Sequence, residues 1–321
     1  MSTTATPVAG RRLRPANLLK PTTRERAADW ARRAPLLPAL IFVIITTQIP
    51  FVVTIVVSFM DWNALKPTET GFAGLQNYVE VLSNSDFRQA IFVTIILTVS
   101  VVLACLLLGL GLALLLNQKF FGRGLARTLL IAPFLVVPVA AALVWKHAIL
   151  NPTFGLINGV LTWFGQLVGN PNPPQLDLLS THPLLAVIMS LVWQWTPFMM
   201  LILLAGLQSR PGDVIEAAQM DGATGWQVFQ HITLPHLRQY LELGGLLGAI
   251  YIVQNFDAVF TLTSGGLGTA NLPYAVYQTF YFANEYGTAS AAGVIVVIGS
   301  IVVATFALRS VFTLFKKEAA R

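Results

Sequence analysis

Polar and aromatic side chains inside two long apolar stretches are the residues of this chain best suited to bind a small ligand. Gln194 and Phe198 lie four residues apart in one stretch, and Tyr251 and Asn255 lie four apart in the other. A spacing of four places two side chains on the same face of a helix. Because aromatic rings cover the C–H faces of a ligand and amides pair with its hydroxyl groups, the pattern suits a neutral polyhydroxylated molecule. With their neighbours, these residues define two candidate ligand faces: Leu191, Gln194, Trp195 and Phe198 on the first, and Gly248, Tyr251, Ile252 and Asn255 on the second.

The same side chains also have a structural interpretation. Amide side chains form hydrogen bonds between helices in membranes, and aromatic residues anchor helices at the membrane surface. The sequence leaves both interpretations open for Gln194, Asn255 and the aromatic residues. For Asp257, near the end of its stretch, we favour a role at a helix end over ligand contact. No Arg or Lys lies in the middle of either stretch, so neither is suited to an anionic sugar phosphate.

Side chains that catalyse reactions or bind metals form no recognisable arrangement in this sequence. No Ser/His/Asp or Cys/His combination suggests a nucleophile, and the solitary Cys105 has no second cysteine for an intrachain disulfide. The chain has no Gly-Lys dipeptide and therefore no Walker A phosphate loop. We expect no catalytic residue, no metal and no cofactor in this chain. The histidines do not have the spacing of zinc ligands: His147, His182, His231 and His236.

The elements that position the candidate residues are membrane-spanning helices. Of the 321 residues, 55% are hydrophobic and 11% are charged, and the mean hydropathy is +0.69. A soluble domain carries about 25% charged residues, so the composition indicates a lipid environment. About 20 helical residues cross the hydrocarbon of a bilayer. Six apolar stretches have that length and predict an all-α membrane protein with six transmembrane helices: 36–60, 90–116, 126–148, 183–207, 242–262 and 289–314.

The positive charges are distributed unevenly between the connections. With a cytoplasmic N-terminus, seventeen of the 20 Lys and Arg residues fall in inner segments, and only Lys66, Arg88 and Lys146 fall in outer ones. This excess predicts that both termini are cytoplasmic. Residues 1–33 are predicted to form a basic cytoplasmic tail, with either an interfacial helix or a disordered segment ahead of the membrane domain 34–321. The tail lacks the interleaved aromatic residues that single-strand binding needs, so we expect no nucleic-acid partner.

The inner connection 208–241 is too long to be a plain turn. A helix is predicted to start after the Pro-Gly pair that precedes Asp213, with Asp213 as its cap, and to end at Gly222. A second helix is predicted over 224–231, ended or kinked by Pro235. The expected product is a helix–turn–helix whose small and apolar side chains are available to a partner: Ala217, Ala218, Met220 and Trp226.

This connection also contains a motif. Residues 216–235 read Glu-Ala-Ala-x3-Gly-x9-Ile-x-Leu-Pro, which resembles the cytoplasmic signature of binding-protein-dependent ABC importer permeases. Over roughly 34–315 the chain is similar to the larger permease subunits of carbohydrate importers of the maltose and glycerol-phosphate type. Leu267 departs from that family, which usually has Pro at this position, and leaves the shape of the turn open. Supporting patches of resemblance lie at 72–78, 127–128, 255–257 and 262–266.

The resemblance implies a type I ABC importer permease fold and a defined set of partners. These are a second permease subunit forming a heterodimer, two ATPase subunits that bind ATP and Mg²⁺, and an extracytoplasmic sugar-binding protein. The resemblance assigns the two candidate ligand faces to a neutral sugar or polyol, carried across the inner (plasma) membrane. It leaves open which sugar is carried and whether the receptor is a lipoprotein or soluble. It also assigns contact with the ATPase to six residues: Glu216, Ala217, Ala218, Asp221, Gly222 and Trp226.

Two other classes of membrane protein compete with this interpretation. A secondary carrier driven by an ion gradient needs ionisable residues in mid-membrane and paired repeats with broken helices. Only Asp257 meets the first requirement, and it does so marginally. A membrane-embedded enzyme needs clustered catalytic groups at one membrane face, and the sequence suggests none. The ion-coupled carrier is therefore the stronger alternative.

Overall fold

The computed structural model describes residues 34–170 and 175–318. Within these ranges, residues 34–53 and the residues from Thr54 onward belong to two separate compact units, and each is described by itself. The basic tail predicted over 1–33, with its candidate interfacial helix, lies outside the described residues.

Helices dominate the described chain because a backbone in lipid satisfies its polar groups only within helices or closed barrels. Two short strands, β1 (Met60–Asp61) and β2 (Gly71–Phe72), pair antiparallel, with Met60 opposite Phe72. In chain order the helices are α1 (Leu37–Val57), α2 (Gln76–Ser83), α3 (Ser85–Asn117), α4 (Arg123–Leu135), α5 (Pro138–Leu143), α6 (Leu156–Leu167), α7 (Leu178–Thr181), α8 (Pro183–Gln208), α9 (Gly212–Met220), α10 (Gly225–Val228), α11 (Leu234–Val253), α12 (Asp257–Thr263), α13 (Leu272–Tyr281) and α14 (Tyr286–Glu318). Wider π-helical segments, Val144–Ile149 and Phe229–Thr233, directly follow α5 and α10.

Four of the six predicted spans coincide with single helices. α1, α3 and α8 contain 21, 33 and 26 residues and are long and apolar enough to cross a membrane. α14 contains 33 residues and covers the sixth predicted span. The other two predicted spans correspond to pairs of helices, and together these elements confirm the all-α membrane fold.

The third and fifth spans were predicted as continuous helices over 126–148 and 242–262, and that prediction is wrong. α4 and α5 are bent by 98° relative to each other, and the helical stretch that ends at Val253 is bent by 51° relative to α12. Pro138 explains the first break, because the residue before a proline avoids the helical conformation. At the second break, the Asn255 side chain accepts a hydrogen bond from the Ala258 backbone N–H at 3.3 Å. Such local bonds compete with helix continuation.

The second halves of the two broken spans pack against each other. α5 and its π-helical continuation contact α12, and Lys146 Nζ donates a hydrogen bond to the Thr261 carbonyl oxygen at 2.8 Å. Carbonyl groups in the last turn of a helix have no partner within the helix, so the lysine satisfies one of them. Lys146, which the sequence analysis used only as an outer positive charge, therefore also joins the two half-helices.

α3 and α8 form the centre of the unit that begins at Thr54. Val101 and Leu191 are fully buried between them, and α11 packs against both helices. An added Cβ at Gly109 would come within 2.9 Å of the Met199 Cβ, so a glycine allows α3 and α8 to approach this closely. This packing fixes the rotation of α8 about its axis and decides which of its side chains face the third and fifth spans.

Candidate functional site

Four rings from three different spans form an aromatic cluster beside the two helix breaks: Phe134, Trp195, Phe198 and Tyr251. Trp195 and Tyr251 are stacked, with ring centroids 5.1 Å apart, and Phe198 packs edge-on against Trp195 at 5.9 Å. Phe134 stacks on Phe198 at 5.4 Å. Tyr251 remains 52% exposed, so the cluster reaches an open surface. The structure thus brings the aromatic members of both predicted ligand faces together.

Phe134 was not among the predicted ligand residues. It occupies the last turn of α4, directly before the break in the third span. Nothing in its own sequence neighbourhood distinguishes it from the other apolar residues of that stretch. Its position depends on the 98° bend between α4 and α5, which the sequence analysis did not anticipate.

Gln194 is buried beside the cluster and makes a contact between spans. It is 7% exposed, and its Nε2 donates a hydrogen bond to the Val136 carbonyl oxygen at 3.3 Å. Val136 lies in the gap between α4 and α5, where the chain is extended. In this conformation Gln194 therefore forms the interhelical hydrogen bond that the sequence analysis kept as the alternative to ligand binding.

Three predicted ligand residues lie within the packed core. Leu191 and Ile252 are buried in the main hydrophobic cluster. An added Cβ at Gly248 would come within 2.3 Å of the Met199 Cε, so Gly248 lets α8 and α11 approach each other. The three residues form packed support behind the aromatic cluster, and in this conformation none of them lies at an open surface.

Asn255 lies at the break in the fifth span. Its side-chain oxygen accepts from the Ala258 N–H, and its carbonyl oxygen accepts from Asn271 Nδ2. Asp257 occupies the first turn of α12, where a negative charge is favourable near the positive end of the helix dipole. This is the helix-end position that the sequence analysis favoured for Asp257.

An ion pair on α11 was not predicted. Arg238 Nε donates to Glu242 Oε1 at 3.0 Å on α11, and the other carboxylate oxygen of Glu242 is buried with no hydrogen-bond partner among residues 34–170 and 175–318. The predicted span began at Glu242 and so placed it at a membrane boundary. The observed helix α11 starts eight residues earlier, at Leu234, because the π-helical segment that ends at Thr233 runs directly into it.

The connection between α8 and α11 forms a preorganised helix–turn–helix, here called the elbow (α9, the turn at Gly222 and α10). Gly222 has φ +85°, and the Ala223 and Gly222 N–H groups donate to the carbonyls of Ala218 at 2.9 Å and Gln219 at 3.0 Å. This is the Schellman arrangement, in which a left-handed glycine satisfies the last carbonyls of a helix. α10 then starts with a capping box between Thr224 and Gln227.

Two details of the predicted elbow are wrong. Asp213 does not cap α9, because the helix begins at Gly212 and Asp213 lies within its first turn. Pro235 does not end a helix. The chain continues from α10 through the π-helical segment into α11, where Pro235 is the second residue. The wider π-helical turn directly before Pro235 accommodates a residue that lacks the N–H for the usual i→i−4 hydrogen bond.

The elbow presents apolar side chains on its outside. Trp226 is 69% exposed and stacks on Phe229 with centroids 5.5 Å apart, and Met220 is 88% exposed. Glu216, Ala217, Asp221 and Gly222 are also exposed, whereas Ala218 is half-buried. Exposed apolar surface rimmed by polar residues marks sites of contact with a protein or a membrane. Nearby, burial lowers the pKa of the Arg210 guanidinium from its ordinary range.

Residues 105–314 match the sequence profile of the family described as binding-protein-dependent transport system inner membrane component. The chain belongs to this family. The motif at 216–235 predicted this assignment correctly, and the permease is accordingly an inner-membrane component of an ABC transport system.

Curated relatives and solved structures agree with this assignment. The permease is 37% identical over 265 residues to the probable ABC transporter permease protein y4oQ of Sinorhizobium fredii, covering 82% of this chain and 84% of that protein. It is 34% identical over 265 residues to the trehalose/maltose transport system permease protein MalF of Thermococcus litoralis, covering 81% and 86%. The fold matches the crystal structure of a bacterial ABC transporter involved in the import of the acidic polysaccharide alginate. That match has a TM-score of 0.76 and 23% identity and covers 90% of this chain and 98% of that chain.

Proposed function

We propose that this permease forms half of the translocation pathway of an ATP-driven importer for a neutral sugar or polyol. The observation that carries the proposal is the elbow, which presents Glu216, Ala217 and Trp226 on an exposed, preformed surface. The sequence has no Walker A loop, so ATP and Mg²⁺ belong to a separate ATPase subunit that docks on the elbow. A stiff elbow suits the transfer of force from that subunit into the spans.

The substrate class is inferred from the aromatic cluster and from the named relative. Trp195, Phe198 and Tyr251 supply apolar ring faces, and Gln194 and Asn255 supply amides close to the helix breaks. Rings and amides together suit a ligand with C–H faces and hydroxyl groups. The relative from Thermococcus litoralis is named for trehalose and maltose. The alginate importer, at 23% identity, supports the fold alone.

The orientation and the partners complete the proposal. The excess of Lys and Arg in alternate connections supports a cytoplasmic position for both termini and for the elbow. The proposal divides the chain into a cytoplasmic tail, 1–33, and a membrane domain, 34–321. A second, different permease subunit completes the pathway, two ATPase subunits supply the energy, and an extracytoplasmic binding protein delivers the sugar.

A charge reversal at the elbow tests this proposal. The importer is purified with its ATPase subunits, reconstituted with its binding protein, and assayed for ATPase content and for uptake of labelled trehalose and maltose. Glu216→Lys is expected to abolish uptake and to weaken retention of the ATPase. Lys119→Glu, a reversal at an exposed lysine in the inner connection between α3 and α4, is the matched control and is expected to leave both unchanged.

The outcomes separate the competing functions. Uptake by the chain without any bound ATPase subunit would support the ion-coupled carrier and refute the importer. Uptake of an acidic oligosaccharide, with no uptake of trehalose or maltose, would refute the neutral substrate while leaving the ATP-driven mechanism in place.

A further inference from the structure

The two ends of the elbow are fastened to each other by polar side chains at the point where the elbow leaves the membrane helices. This cluster, the loop-root clasp, consists of Ser209, Arg210, Thr233, His236 and Tyr240. Ser209 Oγ lies 2.8 Å from the Tyr240 hydroxyl and 3.2 Å from His236 Nε2. His236 Nε2 also lies 3.1 Å from the carbonyl oxygen of Gly206. These bonds connect the last turn of α8 with the beginning of α11.

A second bond closes the clasp on the side of the elbow. The Arg210 guanidinium donates to the hydroxyl of Thr233, which is buried. Arg210 precedes α9, and Thr233 ends the π-helical segment that leads into α11. The bond therefore joins the segment just before the elbow to the π-helical segment that follows it, so that the elbow is held on both sides.

Gly206 makes the contact between the two spans unusually close. A Cβ built on Gly206 would lie 2.6 Å from two ring carbons of Tyr240 and 3.0 Å from Leu237. Atoms do not approach each other this closely without a shift, so the Tyr240 ring lies directly on the backbone of α8. The ring fills the crossing while its hydroxyl bonds Ser209, and at Gly206 no side chain of α8 separates the ring from the α8 backbone.

The helices joined by the clasp also carry the aromatic cluster. Trp195 and Phe198 lie on α8, and Tyr251 lies on α11. A loose connection at the root would let the elbow swing without moving these helices. With both ends tied, rotation of the elbow displaces α8 and α11 together, and with them the rings that line the candidate ligand surface.

We propose that the loop-root clasp makes the elbow, α8 and α11 move as one body, and that Ser209 and Tyr240 are positioning residues for energy coupling. The inference rests on the proposed function, because it assumes that an ATPase subunit moves the elbow. It goes beyond that function in assigning the transfer of force to particular side chains outside the motif.

The test measures how much ATP is hydrolysed for each sugar taken up. Ser209→Ala and Tyr240→Phe each remove one hydroxyl from the clasp while preserving the packing, and Tyr281→Phe, at a mostly exposed ring on α13, is the matched control. In proteoliposomes with ATPase subunits, binding protein and labelled trehalose, Tyr240→Phe is expected to raise the ATP-to-sugar ratio about threefold to tenfold, the range of one hydrogen bond. Ser209→Ala is expected to raise the ratio at least as much, because the Ser209 hydroxyl also bonds His236 and the Gly206 carbonyl oxygen. The ATPase content and the basal ATP hydrolysis should stay at the wild-type level.

A double variant and a glycine substitution sharpen the result. Ser209→Ala combined with Tyr240→Phe should be no worse than the stronger single variant, because the bond that Tyr240→Phe removes is one that Ser209→Ala already removes. Gly206→Ala should raise the ratio further, because it displaces the ring.

An unchanged ratio in both single variants, with ATPase subunits bound, overturns the proposal about the clasp and leaves the proposed importer function intact. Reduced thermal stability with an unchanged ratio shows a merely structural role and likewise overturns it. A wild-type complex that purifies without ATPase refutes the proposed function itself.

Discussion

The elbow and the aromatic cluster differ in how the chain holds them. The elbow is built by local bonds, such as those from Ala223 to Ala218 and between Thr224 and Gln227. The aromatic cluster joins residues far apart in sequence, with Phe134 and Tyr251 on either side of Phe198. A locally determined surface would keep its shape during a movement of the spans, whereas a cluster shared by three spans would rearrange. Under the proposed function, the first property suits docking of an ATPase subunit and the second suits binding and release of a ligand.

The largest effect is expected from a substitution in the elbow, the region built by local hydrogen bonds. Gly222→Pro removes a left-handed glycine and its N–H donor, and a proline in an incompatible position costs about 3 kcal/mol or more, equivalent to about a hundredfold. We expect sugar uptake to fall by about this factor while the protein remains in the membrane and ATP hydrolysis continues uncoupled. Uptake of labelled sugar and phosphate release are measured in parallel.

A matched glycine controls for that substitution. Gly169 also has a left-handed φ, of +81°, and with Asn170 it forms the same pair of hydrogen bonds at the end of α6. Gly169→Pro should leave coupling intact. Equal uncoupling by both prolines would show that the elbow has no special mechanical role.

The next prediction addresses the cluster. Tyr251→Leu removes the ring stacked on Trp195, and aromatic pairs contribute about 0.5–1.5 kcal/mol beyond burial. We expect uptake at low sugar concentration to fall about threefold to tenfold, with ATPase content unchanged. Tyr281→Leu, which removes a ring that pairs with Tyr277 and Phe280, is the control. Loss of the ATPase subunit from the Tyr251→Leu variant would contradict the assignment of ligand binding to the cluster and ATPase contact to the elbow.

Two substitutions at Asn255 distinguish a role in ligand binding from a role in helix capping. Asn255→Leu removes both amide functions and should lower uptake about threefold to tenfold, the range of one hydrogen bond, without releasing the ATPase. Asn255→Asp keeps the oxygen that accepts from the Ala258 N–H but lacks the NH₂ donor. We expect Asn255→Asp to restore thermal stability and not uptake. Wild-type uptake in the Leu variant would remove Asn255 from the candidate ligand site.

The smallest expected effect lies outside both regions. Burial, together with repulsion from Glu80 and Asp61, raises the pKa of Glu285 above its ordinary value of 4.5. A carboxyl group with a raised pKa in the folded state contributes stability below its unfolded pKa and loses that contribution as the pH rises through its folded pKa. Glu285→Gln should therefore flatten the fall of melting temperature as the pH rises above about 4.5, with coupling unchanged. An identical pH profile for wild type and variant would contradict this assignment.

How far the sequence predicts each region follows from the same comparison. Gly222 acts within a few residues, so its role as a helix end is visible in the sequence. The Thr224 cap was not predicted, although its signal, Gln227 three residues later, is equally local. Phe134 lies in the cluster because the third span bends before Pro138. The apolar stretch 126–148 is uninterrupted in hydropathy, so the sequence predicted a continuous helix there. Pro235 was misjudged because a wider helical turn precedes it and lets the helix continue. Whether the predicted ligand residues contact a sugar is a property of the moving assembly and stays a prediction.

Site-specific photocrosslinking tests the central claim most directly. A photoreactive residue replaces Ala217 on the exposed elbow, or Trp163 on α6 as the control, and the assembled transporter is irradiated in native membranes. We predict a covalent adduct with the ATP-hydrolysing subunit from position 217, identified by mass spectrometry through its Walker A peptide, and none from position 163. No ATPase adduct from position 217, or equal adducts from both positions, would contradict the account.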